Sequence, residues 1–125
     1  MIILNTTKIC DELIKDIALD MGVDMREAGV LEIEYIGEIK GSIQGDNQGE
    51  FFGHTFEGVT RYCIRLLPWA STETLAHELR HLAQCQQLEG FDNMVQVNKI
   101  ETETMGYWDN ILEVDAREAA KAWKV

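Results

Sequence analysis

Ser71-Thr72-Glu73-Thr74-Leu75-Ala76-His77-Glu78-Leu79-Arg80-His81-Leu82-Ala83-Gln84-Cys85-Gln86-Gln87-Leu88 runs eighteen residues without glycine or proline, between Pro68 and Gly90. Ser71 is a side-chain cap for a helix start, Glu73 suits the positive first turn, and Gly90 follows the end. The stretch therefore predicts a helix of four to five turns. Leu75, Ala76, Leu79, Leu82 and Ala83 form one apolar stripe, and His77 and His81 fall roughly 180° from its centre at about 100° per residue. The back of this helix packs on the body of the domain, while its polar front carries two imidazoles.

Within it, His77-Glu78-Leu79-Arg80-His81 spells HExxH. Four residues rise about 6 Å and turn roughly 400°, so the two imidazoles project from nearly one line and can share an ion. Two imidazoles so spaced suit zinc. Glu78, rotated away from both, can take a proton from a metal-polarised water and later hand it to a leaving amine. A solvated surface trio is the competing reading; the uninterrupted helix favours the metal.

A catalytic zinc takes three protein ligands and keeps a position for water, so an acid or a third imidazole must come from elsewhere. Ile111 to Lys124 again lacks breakers, and Leu112, Ala116, Ala119, Ala120 and Trp123 make a second stripe whose alanines allow close helix approach. On the wheel Glu118 lies roughly 145° from that stripe, in solvent, whereas Glu113 and Asp115 flank it at about 75° and 85°. The longer side chain of Glu113 reaches farther, but the wheel does not choose between the two. Cys85 continues the line of the histidines yet stands roughly 12 Å along the axis from His77, too far to share its ion, and reads as a packed thiol. His54, in the stretch Gly41 to Gly58, reads as an exposed loop residue.

His77-Glu78-Leu79-Arg80-His81 followed by Glu113-Val114-Asp115-Ala116-Arg117-Glu118-Ala119-Ala120 resembles the small gluzincin-type zinc metallopeptidases, among them ImmA/IrrE-like proteins and small phage-associated relatives. In these, a glutamate of an ExxA-type motif on a later helix completes the site. The resemblance covers two helices and their order, under half of the chain. It implies Glu113 as third ligand and a zinc-dependent peptidase, with an extended substrate paired to an edge strand near the metal helix. The chain has little beyond a minimal zincin core.

The rest of the chain fits one small α+β domain spanning residues 1–125, with an antiparallel or mixed sheet packed on the metal helix. With 125 residues, 46% of them hydrophobic, a single core is within reach. Thr7 to Met21 predicts an N-terminal helix stopped by Gly22, with Ile9, Leu13 and Ile17 on one side. Leu31, Ile33 and Tyr35 alternate with Glu32 and Glu34 as a half-buried strand, with a bulge near Ile36-Gly37 to bring Ile39 back inside. Gly41 to Gly58 reads as a turn-rich connection with a hairpin around Asp46-Asn47, and Val59 to Leu67 as a strand. Arg61 and Arg65 either meet acidic substrate groups or form ion pairs. Gly90 to Asn110 carries apolar residues without firm period and reads as a lid over the cleft. Inside it, Tyr107 either donates to an oxyanion or packs beside Trp108.

Twenty-two acids against 11 Lys and Arg give a net charge of −11, which repels nucleic-acid backbones and favours a basic polypeptide partner. Three cysteines without a CxxC spacing fit a reducing compartment. Met1-Ile2-Ile3-Leu4 gives way to polar residues, so no signal core is expected, no apolar run has membrane-spanning length, and a cytoplasmic protein is the default expectation. Beside the peptidase reading stands an acidic regulatory module, its metal site structural or vestigial, that acts by occupying a basic protein.

Overall fold

The computed structural model of the protein describes residues 1–37 and 48–124. In chain order it contains β1 (Ile2–Asn5), α1 (Asp11–Asp20), β2 (Val30–Tyr35), β3 (Gly49–Phe56), β4 (Val59–Leu66), α2 (Thr72–Gln87), α3 (Phe91–Met105), α4 (Ile111–Ala120) and a closing 3-10 turn, Lys121–Trp123. The class is α+β, and the sheet is mixed. Its strand order is β1-β2-β4-β3, with β1 and β4 parallel to β2 and only β3 antiparallel to its neighbour β4. The parallel β1–β2 pair needs a crossover, and α1 supplies it.

Alternation along β2 decides the faces. Leu31 and Ile33 are buried, in register with Tyr62 and Ile64 of β4, and these meet Ile14, Ile17 and Ala18 of α1 in one core. Glu32 and Glu34 point the other way and pair with Arg61 at 3.0 Å and Arg65 at 2.8 Å, so both arginines serve as ion-pair partners within the sheet. The back of α2 enters the same core: Leu75, Ala76, Leu79 and Leu82 have no exposed surface. Ser71 caps α2 as expected, its Oγ accepting from the Thr74 amide at 3.2 Å.

α4 lies against the front of α2, with Ala116 and Ala120 buried where the helices meet. Asn110, wholly buried, fixes its start. Its side-chain oxygen accepts from the Leu112 amide at 2.9 Å, while its Nδ2 donates to the Asn98 side chain at 2.7 Å and to Thr102 Oγ1 at 2.9 Å. One capping residue thus ties α4 to α3.

Several elements differ from the sequence expectations. The N-terminal helix begins at Asp11 rather than Thr7, because Asn5 holds the preceding turn by accepting from the Thr7 amide and donating to the Ile9 carbonyl. Ile2–Asn5 is an edge strand. The last helix gives way to a 3-10 turn after Ala120. Gly49–Phe56, expected as connection, is a full strand, and its glycines have steric reasons: a Cβ at Gly53 would come 3.0 Å from the Tyr62 ring. The β3–β4 hairpin turns at Glu57-Gly58, both with positive φ (50° and 79°), the signature of a two-residue type I′ loop. The expected hairpin at Asp46-Asn47, and Ile39 beyond the expected bulge, lie outside the described residues. Phe91–Met105 is a helix rather than an irregular segment; of its residues only Met94 is buried, which is why its periodicity is weak.

Candidate metal centre

α2 and α4 bring three donors to one point. Glu113 Oε2 stands 3.1 Å from His77 Nε2, Glu113 Oε1 stands 3.0 Å from His81 Nε2, and the two Nε2 atoms are 3.1 Å apart. One ligand atom from each residue lies within 4.8 Å of the other two. Nitrogen and oxygen ligands about 2.0–2.1 Å from a tetrahedral zinc stand about 3.3 Å from one another, so the set has the dimensions a zinc site needs. The chemistry fits as well. Two ring nitrogens and a carboxylate that face one another away from water require a positive charge among them, either a proton or a cation.

The electrostatics carry that demand. Burial pushes the Glu113 carboxyl up, but hydrogen bonds and charge from His77 and His81 outweigh it and hold the group well below the carboxylate range. Burial works against the His81 imidazolium, yet the hydrogen bond it donates to Glu113 and the charge of Glu78 raise it to about 9. The front of α2, polar in sequence, is roofed: His81 and Glu78 are both buried, and α4, β3 and α3 all pack against α2. Burial also raises the Glu78 carboxyl, with the two imidazoles partly opposing. A group in that environment accepts a proton readily.

The orientation of His81 is set from behind. Its Nδ1 donates to Gln84 Oε1 at 2.8 Å, which keeps a proton on Nδ1 and leaves Nε2 as the ring nitrogen that faces the site. Gln84 is held in turn, its Nε2 donating to the Leu112 carbonyl at 2.9 Å and to Asp115 Oδ2 at 2.8 Å. Arg80 grips Asp115 through two nitrogens, at 2.8 and 3.1 Å, and reaches the Met21 carbonyl at 2.8 Å. Asp115, the rival of Glu113 for the third position, therefore belongs to the scaffold, with its carboxyl lowered chiefly by the Arg80 hydrogen bond. Gln84 belongs to no motif that would mark it for this role in the sequence. Its one signal was its place three residues after His81, on the same helix face.

The cleft is shaped by elements around the donors. A cavity of about 220 Å³ is lined by His77, Glu78, His81, Glu113, Phe91 and Tyr107. Burial and the carboxylates of Glu113 and Glu78 raise the Tyr107 phenol to about 12, so it carries its proton at neutral pH. Gly49 of β3 comes so close that a Cβ there would stand 3.1 Å from Glu78 Cγ. The other candidates stay apart from the centre. His54 is exposed on β3 beside a separate cavity with Glu27 and Tyr62, Cys85 is packed in the core, and Glu118 is exposed with Lys121 at 2.8 Å.

Comparison of the chain with protein-family models, with curated proteins and with solved structures returns no match. Among the described residues no helix is long and apolar enough to cross a membrane.

Proposed function

We propose that this protein is a zinc-dependent hydrolase, a metallopeptidase of the minimal gluzincin kind that its two motifs resemble. The observation that carries the reading is the convergence of His77, His81 and Glu113, with donor separations of 3.0–3.1 Å, beside the buried carboxylate of Glu78. A zinc ion held by these three residues would polarise a water and the scissile carbonyl at neutral pH.

Glu78 takes the proton that the attacking water loses. As the water oxygen bonds to the carbonyl carbon and the C–N bond breaks, Glu78 returns that proton to the departing amine, so no net proton is gained or lost by the protein. Tyr107, protonated and in the same cavity, donates to the carbonyl oxygen as charge builds on it. β3 is an edge strand, and Gly49 to Phe51 line the cleft, so an extended polypeptide can pair with its outer edge. Cys10, Cys63 and Cys85 are free thiols, in keeping with a cytoplasmic site of action.

The net charge of −11 favours a second reading, an acidic module that occupies a basic protein and keeps a structural metal. One experiment separates the two. Protein purified from zinc-replete medium is analysed for metal and assayed on a mixture of quenched fluorescent peptides, as wild type and as Glu78→Gln. The peptidase binds one zinc per chain and turns over, and Glu78→Gln keeps the zinc while losing turnover. Protein that takes up no zinc overturns the proposal. Zinc without hydrolysis, together with a partner-dependent effect that survives Glu78→Gln, transfers the case to the binding module.

A further inference from the structure

The chain has five arginines, and four of them meet a carboxylate: Arg26 with Asp24, Arg61 with Glu32, Arg65 with Glu34 and Arg80 with Asp115. Arg117 has no acidic partner among the described residues. In a chain with twice as many acids as bases, such an arginine is an exception that needs a reason. Its guanidinium lies instead over the indole of Trp108, 3.8 Å from the ring centroid, and donates to the Trp108 carbonyl. Stacking fixes the plane of the fork while leaving donors unused, the arrangement that receives a carboxylate bidentately.

Its position gives that carboxylate a meaning. Arg117 follows Glu113 by four residues on α4, hence stands on the same face about 6 Å farther along. A cavity of about 440 Å³ joins His77 and Glu78 to Trp108 and Arg117, so the cleft continues past the metal ligands toward this side chain. An extended peptide advances about 3.3–3.6 Å per residue. The span corresponds to one or two residues of substrate.

We propose that Arg117, braced by Trp108, is the carboxylate-binding residue of the cleft and receives a peptide carboxylate, foremost the free C-terminus, one or two residues from the scissile bond. The assignment rests on the peptidase reading for its meaning, while carboxylate binding itself can be measured separately. Glu73 and Glu118 border the same cavity, and Glu118 is occupied by Lys121 at 2.8 Å. These acids repel polyacidic segments and leave a single carboxylate as the fitting ligand.

The test titrates the metal-free full chain with three N-acetylated tripeptides: a free acid, its C-terminal amide, and an amide with an internal aspartate. Binding is followed by calorimetry and by tryptophan fluorescence, for wild type, Arg117→Gln and Arg117→Lys, each checked for an unchanged melting transition. The acid binds at least about ten-fold more tightly than the amide to wild type. Arg117→Gln removes the difference and Arg117→Lys keeps part of it, because the charge remains without the planar fork. Tighter binding of the aspartyl amide than of the free acid names a side-chain carboxylate, in place of the C-terminus, as the source. Equal affinity for acid and amide, no binding of any peptide, or a preference that survives Arg117→Gln overturns the assignment. The two proposals fail separately: zinc-loaded protein that cleaves acid and amide alike remains a peptidase, and selective binding without hydrolysis leaves Arg117 in its role while removing the peptidase.

Discussion

Gln84 Oε1 and His81 Nδ1 stand 2.8 Å apart, which commits one ring nitrogen of His81 to the scaffold and leaves the other facing His77 and Glu113. Gln84→Leu is expected to weaken zinc affinity about 10- to 100-fold, the usual effect of removing an outer-shell partner of a ligating histidine. It also removes the hydrogen bonds that Gln84 donates to the Leu112 carbonyl and to Asp115, at a stability loss of about 1–3 kcal/mol. Gln84→Glu keeps an acceptor for Nδ1 and should retain more of the affinity. Competition against a chromogenic chelator measures both.

Glu113 and Asp115, two residues apart, are expected to separate cleanly in elemental analysis. Glu113→Ala should lose the zinc, whereas Asp115→Asn should keep it and lose about 1 kcal/mol of stability with its Arg80 pair, which is partly exposed. Zinc lost from the Asp115 variant alone would reverse the ligand assignment.

Gly49→Ala tests the clearance beneath β3. The added Cβ meets Leu66 Cδ2 and Thr74 Cγ2 at 3.0 Å and Glu78 Cγ at 3.1 Å, so the base must shift by tenths of an ångström. Turnover should fall about ten-fold with metal content unchanged, because a displaced proton acceptor weakens the reaction rather than the binding of the ion. Activity per bound zinc is the quantity to compare with wild type.

Zinc should raise the melting temperature of metal-free protein, since a ligand that binds only the native state adds about 4 kcal/mol when present at about a thousand times its dissociation constant. His77→Ala and His81→Ala should melt at the same temperature with and without zinc. Differential scanning calorimetry with and without chelator reads the difference.

Alkaline pH should weaken the fold through Tyr62. Burial, then the hydrogen bond to Glu27, holds this phenol well above its ordinary value of 10.0. The native state keeps a proton that the unfolded chain releases, so the contribution is complete below about pH 10 and is lost as pH rises above it, at about 1.4 kcal/mol per unit. Cys63 and Cys85, raised to about 11 by burial, act in the same direction. Tyr62→Phe should therefore flatten the slope between about pH 10 and about pH 11 in urea titrations without abolishing it.

Legibility followed periodicity. α2 and its capping Ser71 could be read in sequence because one face is wholly apolar, and β2 because Leu31 and Ile33 alternate with two glutamates. α3 hid because it contributes one buried residue, and β3 hid because Gly49 and Gly53 suggest turns unless the Glu78 and Tyr62 side chains beside them are known. The wheel brought Glu113 and Asp115 equally near the helix interface. Both do reach α2, one at the imidazoles and the other at Arg80 and Gln84, a division that depends on helix packing rather than on spacing. Gln84 offers only its place three residues after His81, because a lone glutamine in a helix is ordinary until its neighbours are placed.

His77 and Glu113 are 36 positions apart in the chain, with all of α3 between them. A cation gripped by both would work as a removable staple, closing a long loop whose ends have to be gathered at an entropic cost. Stripping the ion should then loosen the terminal third of the chain before the sheet responds. Protease nicking near Gly106, at the α3–α4 junction, would report whether the staple is in place.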